Sequence, residues 1–279
     1  MPTSSVHFMS GLPRSGSTLL SAILMQNPAV RHAGIITPVA PMMVKLSSLM
    51  VEGEYATEFD EETRKRLLRG VLSHYYCEKD PETGRRAGMI IDNNRMWCTR
   101  LGLIEHLFPA ARIICCVRNP VWIIDSFERV IQKDPALGSK LVPIERRGTL
   151  YDRVEALTAP NGSFGYCWRA LQEAFYSTLA HKLIVVEYDR LVKHPQDTVG
   201  HVASLLKLPE WRYDFNDVEF NGASGFDQAL NTPGLHEVRR KVAYMPRRPV
   251  LPPEIVERLS GELFWRNPER NPGRATVLA

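Results

Sequence analysis

The sequence has few of the features that mark secreted, membrane-spanning or metal-binding proteins. It has five cysteines among 279 residues and no C-x-x-C pair, so we expect neither a disulfide framework nor a zinc site. No apolar run reaches the roughly 18 residues of a membrane-spanning helix, and the first residues lack the basic stretch of a signal peptide. We therefore predict a cytoplasmic setting, no membrane span and no metal.

The excess of positive charge is small. The formal net charge is +4, and no basic stretch is interleaved with aromatic residues as in proteins that bind single-stranded nucleic acids. This balance favours a small anionic ligand and argues against a nucleic-acid partner. With 44% hydrophobic residues, the chain can bury a sizeable core, and we predict a single domain over residues 1–279.

Short apolar segments alternate with helical patterns along most of the chain. Strands are predicted at residues 6–10, 89–91, 112–117 and 183–187. Such alternation is typical of an α/β fold, here a P-loop-like domain of three layers with a central parallel sheet flanked by helices. Residues 133–162 are rich in mixed charges, proline and glycine and predict a mobile excursion, and residues 266–279 predict a loose tail.

The first strand runs into the loop GLPRSGST at residues 11–18. Gly11 and Gly16 have the spacing of the P-loop pattern G-x-x-x-x-G-K-[ST], and Thr18 occupies its last position. Ser17 stands where that pattern has lysine, so Arg14 is the only cation of the loop. The free N–H groups and the dipole of the following helix attract anions. The junction therefore predicts an anion site.

A second anion site is predicted after the strand RIICCV at residues 112–117. This strand leads into Arg118 and then into a helix that carries Ser126. In open α/β sheets, ligands bind beyond the carboxyl ends of the strands. Asp125 is a weaker alternative, as a metal ligand, because it lies well inside that helix. The predicted ligand thus has two separated anionic groups and no obvious metal.

Two segments together resemble a known family. GLPRSGSTLL and VRNPVWIIDSFERV resemble the two nucleotide-binding signatures of sulfotransferases, nearest to the bacterial and tyrosylprotein sulfotransferase branch with its arginine-type loop. A third segment, IVVEYDRLVKHP, is similar to the Y-[ED]-x-L-V-x-x-P segment of that branch. The resemblance covers residues 6 to about 195. It implies 3′-phosphoadenosine 5′-phosphosulfate (PAPS) as donor, adenosine 3′,5′-bisphosphate (PAP) as product, and no metal.

The resemblance also implies roles for individual residues. The backbone of Ser15, Gly16, Ser17 and Thr18 would bind the 5′-phosphate, and Arg14 would contact the bridging oxygen and the sulfonate. The 3′-phosphate would be held by Arg118 and Ser126. A basic C-terminal contact of the cytosolic branch has a possible counterpart in the triplet 239–241, which contributes Arg240 and Lys241.

Two positions depart from the resembling family and leave the general base open. Gly34 stands where tyrosylprotein sulfotransferases have a catalytic glutamate, and Asn93 stands where relatives have a lysine that contacts the donor, unless Arg95 reaches in. His32, next to the missing glutamate, titrates in the useful pH range and is one candidate base. Asp92, at a strand end, is the other candidate.

Three hypotheses about function therefore stand. The first is sulfonyl transfer to a hydroxyl or amine acceptor, either a small molecule or a peptide or glycan. The apolar segment 38–50 and the excursion 133–162 are predicted to line a partly apolar acceptor pocket. The second is a metal-dependent P-loop kinase of small molecules, and the third is a nucleotide-binding protein that has lost catalysis.

Overall fold

A computed structural model of the chain describes residues 5–76, 88–133, 139–220, 224–232 and 234–279. Its centre is a sheet of six strands in the order β2-β3-β1-β4-β5-β6, and every neighbouring pair is parallel. The strands are β1 Val6–Gly11, β2 Val30–Ile36, β3 Met89–Asn93, β4 Ile113–Val117, β5 Leu183–Glu187 and β6 Thr276–Leu278. The predicted parallel α/β architecture is confirmed.

Helices connect the strands and cover both faces of the sheet. They are α1 Ser17–Leu24, α2 Val39–Val51, α3 Glu61–Tyr75, α4 Leu101–Leu107, α5 Pro120–Gln132, α6 Leu150–Thr158, α7 Gly165–Tyr176, α8 Tyr188–Lys193, α9 Pro195–Leu205, α10 Ser224–Ala229 and α11 Pro253–Leu259. Short 3₁₀ turns lie at Glu54–Glu58, Arg95–Arg100, Ile144–Arg146, Ala180–Lys182, Phe264–Arg266 and Pro268–Arg270.

The two hydrophobic clusters follow the alternation of side chains along the strands. Phe8, Ile113 and Cys115 point to the cluster beneath α2, α4, α5 and α7, whereas Met9 and Ile114 point to the cluster beneath α1, α8 and α9. Because the inner strands are buried on both faces, they consist of nearly uninterrupted apolar residues. These two clusters give the domain its three layers.

The two edge strands of the sheet differ from the prediction. β2, within VRHAGII, was not expected, since Arg31, His32 and Gly34 interrupt its apolar pattern and it lies at the sheet edge. The loose tail expected over residues 266–279 is contradicted, because β6 pairs in parallel with β5 and Leu278 is buried. The last residues of the chain therefore close the opposite edge of the sheet.

The predicted excursion over residues 133–162 is also more regular than expected. Residues 134–138 lie outside the described part of the chain. Of the remainder, α6 packs against α5, and the Arg153 guanidinium lies 2.5 Å from the buried carboxylate of Glu128. Two glycines after α6, Gly162 and Gly165, pass so close to carbonyl oxygens of that helix that a Cβ would collide with them.

The strand order places a crevice at the carboxyl ends of β1 and β4. The chain leaves β1 toward β2 on one side and continues from β3 to β4 on the other side. A reversal of this kind is where open α/β sheets bind ligands. In the described part of the chain, no helix is long and apolar enough to cross a membrane.

Candidate functional site

The loop after β1 needs glycine at two positions. Gly11 has φ +95°, and a Cβ there would collide with the backbone carbonyl of Cys116 in the neighbouring strand. Gly16 has φ +91°, and its Cβ would lie 2.8 Å from the Tyr188 ring. Glycine alone adopts such backbone angles without strain. The loop therefore packs tightly between β4 and α8, and α1 begins immediately after it.

The two segments predicted to bind anions meet directly. Arg14 has a left-handed backbone, with φ +57°, and its Nε donates to Ser126 Oγ over 3.1 Å. Ser126 lies on α5, 112 residues further along the chain. The loop after β1 and the helix after β4 thus form one site.

Arg118 lies at the end of β4 and faces the same site. Its guanidinium carbon is 4.0 Å from the centre of the Tyr188 ring, a cation–π arrangement. Its Nε is buried and has no hydrogen-bond partner among the described residues. Burial lowers the pKa of Arg118, and the charge of Arg247 adds to this effect. A buried cationic donor without a partner is what an anionic ligand would satisfy.

A cavity of about 570 Å³ opens between these elements. Its described lining contains eight arginine or lysine side chains and one carboxylate, that of Glu237. The cationic residues are Arg14, Arg95, Arg118, Arg129, Lys133, Arg239, Lys241 and Arg247. Burial lowers the pKa of Arg14 to about 10, and nearby Arg95 contributes in the same direction. Arg14 remains cationic at neutral pH, and the crowding of positive charge favours a ligand with several negative charges.

Most of the predicted donor-binding residues line this cavity. Those that do are Arg14, Gly16, Ser17, Thr18, Arg118, Ser126 and Lys241. The side chain of Ser15 is instead buried, and its Oγ donates to the carbonyl oxygens of Leu12 and Cys116. It holds the loop against β4.

Arg240 does not line the cavity, contrary to its predicted place in the binding site. It is 67% exposed, and its guanidinium pairs with Asp217 and Glu219 at 2.7 and 2.5 Å. The neighbouring Arg239 and Lys241 face the cavity instead. The basic triplet therefore contributes its first and third members to the cavity.

Neither predicted catalytic base reaches the cavity. Asp92 is completely buried and accepts hydrogen bonds from Thr37 (2.6 Å), Trp97 (2.7 Å) and Tyr76 (2.5 Å). Burial raises the pKa of Asp92, whereas these three donors oppose the shift. The ring of His32 lies 4.6 Å from that of Tyr76, centre to centre. The geometry therefore places Asp92 and His32 in a packed cluster beside β3.

The two positions that depart from the family signatures contact one another. Asn93 Nδ2 donates to the carbonyl oxygen of Gly34 over 2.8 Å. Asn93 also lines a small cavity of about 20 Å³ next to the large one, together with Ile35 and Ile36. Arg95 lines both cavities, so it supplies a cation to the small cavity that Asn93 also lines.

One pair of titratable residues at the site was not found from the sequence. His236 lines both cavities, and its Nδ1 lies 2.5 Å from Oδ1 of Asp227. The backbone N–H of His236 donates to the other carboxylate oxygen over 3.0 Å. Both residues belong to a segment without periodicity, where a histidine and an aspartate nine residues apart give no recognisable signal.

Asp125 has a structural position. It is completely buried and pairs with Arg129 and Arg247 at 3.1 and 2.6 Å, and it accepts a hydrogen bond from the backbone N–H of Val250. Its carboxylate thereby ties residues 247–250 to α5. The described residues contain no group of three or more His, Cys, Asp or Glu arranged to hold a metal ion.

Comparison with known sequences agrees with the two signatures. The model of the sulfotransferase family matches residues 7–213. A putative protein-tyrosine sulfotransferase of Caenorhabditis briggsae is 23% identical over 244 residues, which cover 82% of this chain and 78% of the relative. Protein-tyrosine sulfotransferase 1 of Danio rerio is 24% identical, with 72% and 53% covered. An uncharacterized Aquifex aeolicus protein is 23% identical, with 72% and 25% covered, so this chain spans only part of the last two relatives.

Solved structures similar to this chain are also sulfotransferases. The sulfotransferase domain from the curacin biosynthetic pathway has a TM-score of 0.47 and 16% identity, with 76% of each chain covered. The sulfotransferase domain of the Synechococcus PCC 7002 olefin synthase has the same TM-score and identity, with 86% of this chain and 84% of that chain covered. Because the family model matches most of its length, the chain belongs to the sulfotransferase family.

Proposed function

We propose that this protein transfers a sulfonyl group from PAPS to a hydroxyl or amine acceptor. The observation that carries the proposal is the pairing of two cationic anchors in one cavity. Arg14 follows β1 and Arg118 follows β4, and Ser126 is hydrogen-bonded to Arg14. A ligand with phosphates at both ends of a nucleoside fits such a site better than one with a single phosphate tail.

The donor's 5′ end would be held by the loop after β1. Ser17 and Thr18 open α1, whose first N–H groups lack partners within the helix and attract a phosphate. Arg14 would contact the oxygen that leaves with that phosphate. Negative charge builds on this oxygen during transfer, so a fixed cation there stabilises the transition state more than the ground state.

The donor's 3′-phosphate would be held by Arg118 and Ser126. The planar guanidinium of Arg118 suits a phosphate, and its buried Nε without a described partner supports this assignment. Lys241 faces the same cavity and would add a third, more exposed contact. This anchor would distinguish PAPS from ATP and from adenosine 5′-phosphate.

The acceptor would approach from the small cavity. Ser17, Thr18, Arg95 and His236 line both cavities, so the two cavities meet where the sulfonyl group would lie. The acceptor pocket was predicted to be lined by residues 38–50 and 133–162. Lys133 lines the large cavity, residues 134–138 lie outside the described part of the chain, and the other described residues of these two segments line neither cavity. Ile35 and Ile36 provide an apolar side, which favours an acceptor that is apolar near its hydroxyl or amine.

The proposal is tested by incubating the protein with PAPS carrying a labelled sulfonyl group and a library of acceptors, followed by mass spectrometry. The library would include alcohols, phenols, amines and tyrosine-containing peptides, the last because two of the relatives are named protein-tyrosine sulfotransferases. We expect a labelled sulfate ester or sulfamate that is absent with the Arg14→Ala variant. Tight binding of PAP without any product would favour a binding protein, and phosphorylation by ATP with Mg²⁺ would favour a kinase.

A further inference from the structure

The junction between the two cavities is lined by very few groups that can accept a proton. Four described residues line both cavities: Ser17, Thr18, Arg95 and His236. The hydroxyls are poor bases near neutral pH, and arginine stays protonated. The rest of the small cavity is lined by Ser10, Gly11, Leu12, Ile35, Ile36 and Asn93, and none of these is a carboxylate. His236 is therefore the described residue at the junction with a suitable pKa.

Asp227 contacts His236 twice, once at the imidazole ring and once at the backbone N–H. One carboxylate oxygen lies 2.5 Å from Nδ1, and the other accepts the backbone N–H of His236 over 3.0 Å. An ionised carboxylate only accepts hydrogen bonds, so Nδ1 carries the proton and Nε2 keeps its lone pair. The two side chains are 11% and 8% exposed, and the Phe226 ring meets the imidazole nearly at a right angle. These contacts fix both the tautomer and the orientation of the ring.

The pKa of His236 lies below its ordinary value when no ligand is bound. Burial is the largest effect on its pKa and lowers it, Asp227 raises it, and Arg14 and Arg95 lower it. An anionic donor would offset the charges of Arg14 and Arg95. The pKa of His236 should therefore rise when a nucleotide occupies the large cavity.

We propose that His236 is the general base of sulfonyl transfer and that Asp227 is the residue that positions it. This proposal rests on the proposed function. The acceptor oxygen forms a bond to sulfur with its lone pair, and its proton moves to His236 Nε2. The bond between sulfur and the bridging oxygen breaks, and its electron pair leaves with PAP. The resulting imidazolium is stabilised by Asp227. An amine acceptor reacts in the same way through its nitrogen.

The assignment explains how the chain can work without the glutamate expected at Gly34. Asp92 makes three hydrogen bonds inside the core, and His32 packs against Tyr76, so both lie away from the junction. The base would instead come from His236, which lies far from residue 34 in the sequence but lines the same small cavity as Ile35 and Ile36.

The proposal is tested by ¹⁵N NMR of the imidazoles in the full-length protein, with PAP as the probe. The chain has eight histidines, and the His236→Gln variant identifies the signal of His236. We expect the Nδ1–H tautomer with a pKa below the ordinary histidine value of about 6.5, and a rise of this pKa when PAP binds. In Asp227→Asn, the pKa of His236 should fall and the Nδ1–H tautomer should no longer dominate. An amide has only one oxygen, so its NH₂ group would face either Nδ1 or the backbone N–H of His236.

A matched control is His106, an exposed histidine whose Nε2 lies 3.7 Å from Glu61. The imidazole signals of His106 should not change when PAP binds, and His106→Gln should keep full activity. An Nε2–H tautomer at His236, or a pKa of His236 that stays constant while PAP binds, would overturn the proposal. Failure of PAP to bind at all would show in the same titration as unchanged arginine signals, and it would reject the donor site itself rather than the choice of base.

Discussion

The loop at residues 11–18 and the segment at residues 224–248 form opposite walls of one cavity, but they are specified in different ways. The loop is defined by local rules: two glycines at the required spacing, one arginine, and a helix that starts directly after them. The C-terminal segment contributes His236, Arg239, Lys241 and Arg247 to the cavity, and no local pattern marks it. The loop at residues 11–18 can therefore be predicted from the sequence, whereas the position of the C-terminal segment depends on tertiary contacts.

This difference suggests a division of roles. The loop and Arg118 directly follow the buried strands β1 and β4, so the donor's two phosphates would be held by residues anchored to the centre of the sheet. The C-terminal segment is held by a few specific contacts, such as Asp227 to His236 and Asp125 to Arg247. Its residues would complete the site for chemistry and for fine adjustment of affinity.

The largest expected effect comes from the C-terminal wall. His236→Gln should lower the rate of the chemical step by roughly 10²–10⁴-fold, as for loss of a general base, while PAP affinity stays nearly constant. A base must be neutral to accept a proton, and burial lowers the pKa of His236. In the wild type, kcat/KM should therefore be at its maximum near neutral pH and fall only below about pH 6.5.

The pH profile of the variant provides the control for that experiment. His236→Gln should lack the acid limb, because the titrating group is gone. An acid limb that persists in the variant, together with turnover near that of the wild type, would move the base to another residue.

The loop should show the next largest effect. Arg14→Ala should lower kcat/KM by roughly 10²–10³-fold, since one preorganised charge contact to the transition state is worth about 3–4 kcal/mol. Its side chain faces the cavity, so thermal unfolding should change little. Arg14→Lys, which keeps the charge but loses the planar fork, should recover part of the rate. A folded Arg14→Ala variant with an unchanged rate would contradict the assignment of the loop.

Removing the Asp125 carboxylate, which ties residues 247–250 to α5, should lower the stability of the fold without abolishing sulfonyl transfer. Asp125→Ala should lower the free energy of unfolding by roughly 1.5–3 kcal/mol, measured by urea denaturation. The loss should be smaller than for a fully buried ion pair, because Arg129 and Arg247 are 39% and 34% exposed. Glu210→Ala, at an exposed site, serves as the control. Equal stability of the two variants would mean that residues 247–250 do not depend on this contact.

The smallest expected effect separates two neighbouring cations. Lys241→Ala should weaken PAP binding by up to about fivefold, the effect of an exposed charge contact worth roughly 0.2–1 kcal/mol. Arg240→Ala should leave PAP affinity unchanged, since Arg240 pairs with Asp217 and Glu219 outside the cavity. Titration calorimetry at low salt compares the two, and a larger loss for Arg240→Ala would reverse the arrangement described for this segment.

The sequence predicted those parts of the fold that repeat a local pattern. The four inner strands and α1 followed from apolar runs and from the glycine spacing, and Arg14, Arg118 and Ser126 followed from strand ends. β2 was missed because Arg31, His32 and Gly34 interrupt its apolar pattern, and a strand at the sheet edge is only partly buried. β6 was missed because three residues are too short for periodicity to show.

The residue now proposed as the base, His236, could not be predicted for a related reason. Asp92 and His32 lie at sequence positions where a base would be expected, but three hydrogen bonds and the Tyr76 ring hold them in a packed cluster. His236 lines the cavity through contacts between distant parts of the chain, such as the hydrogen bonds that Lys140 donates to the carbonyl oxygens of Ala229 and Leu230 at the end of α10. Asp227, His236 and Arg14 lie close enough to influence one another's charge, although no spacing rule links them in the sequence.

We propose that Arg118 and Ser126 make this a site for a nucleotide with a 3′-phosphate. Calorimetric titration with PAP and with adenosine 5′-phosphate tests it most directly. We predict that PAP binds roughly 10- to 150-fold more tightly, as expected for a charge-assisted contact of about 1.5–3 kcal/mol, and that Arg118→Ala removes most of this difference. Equal affinity of the wild-type protein for the two nucleotides would contradict the claim.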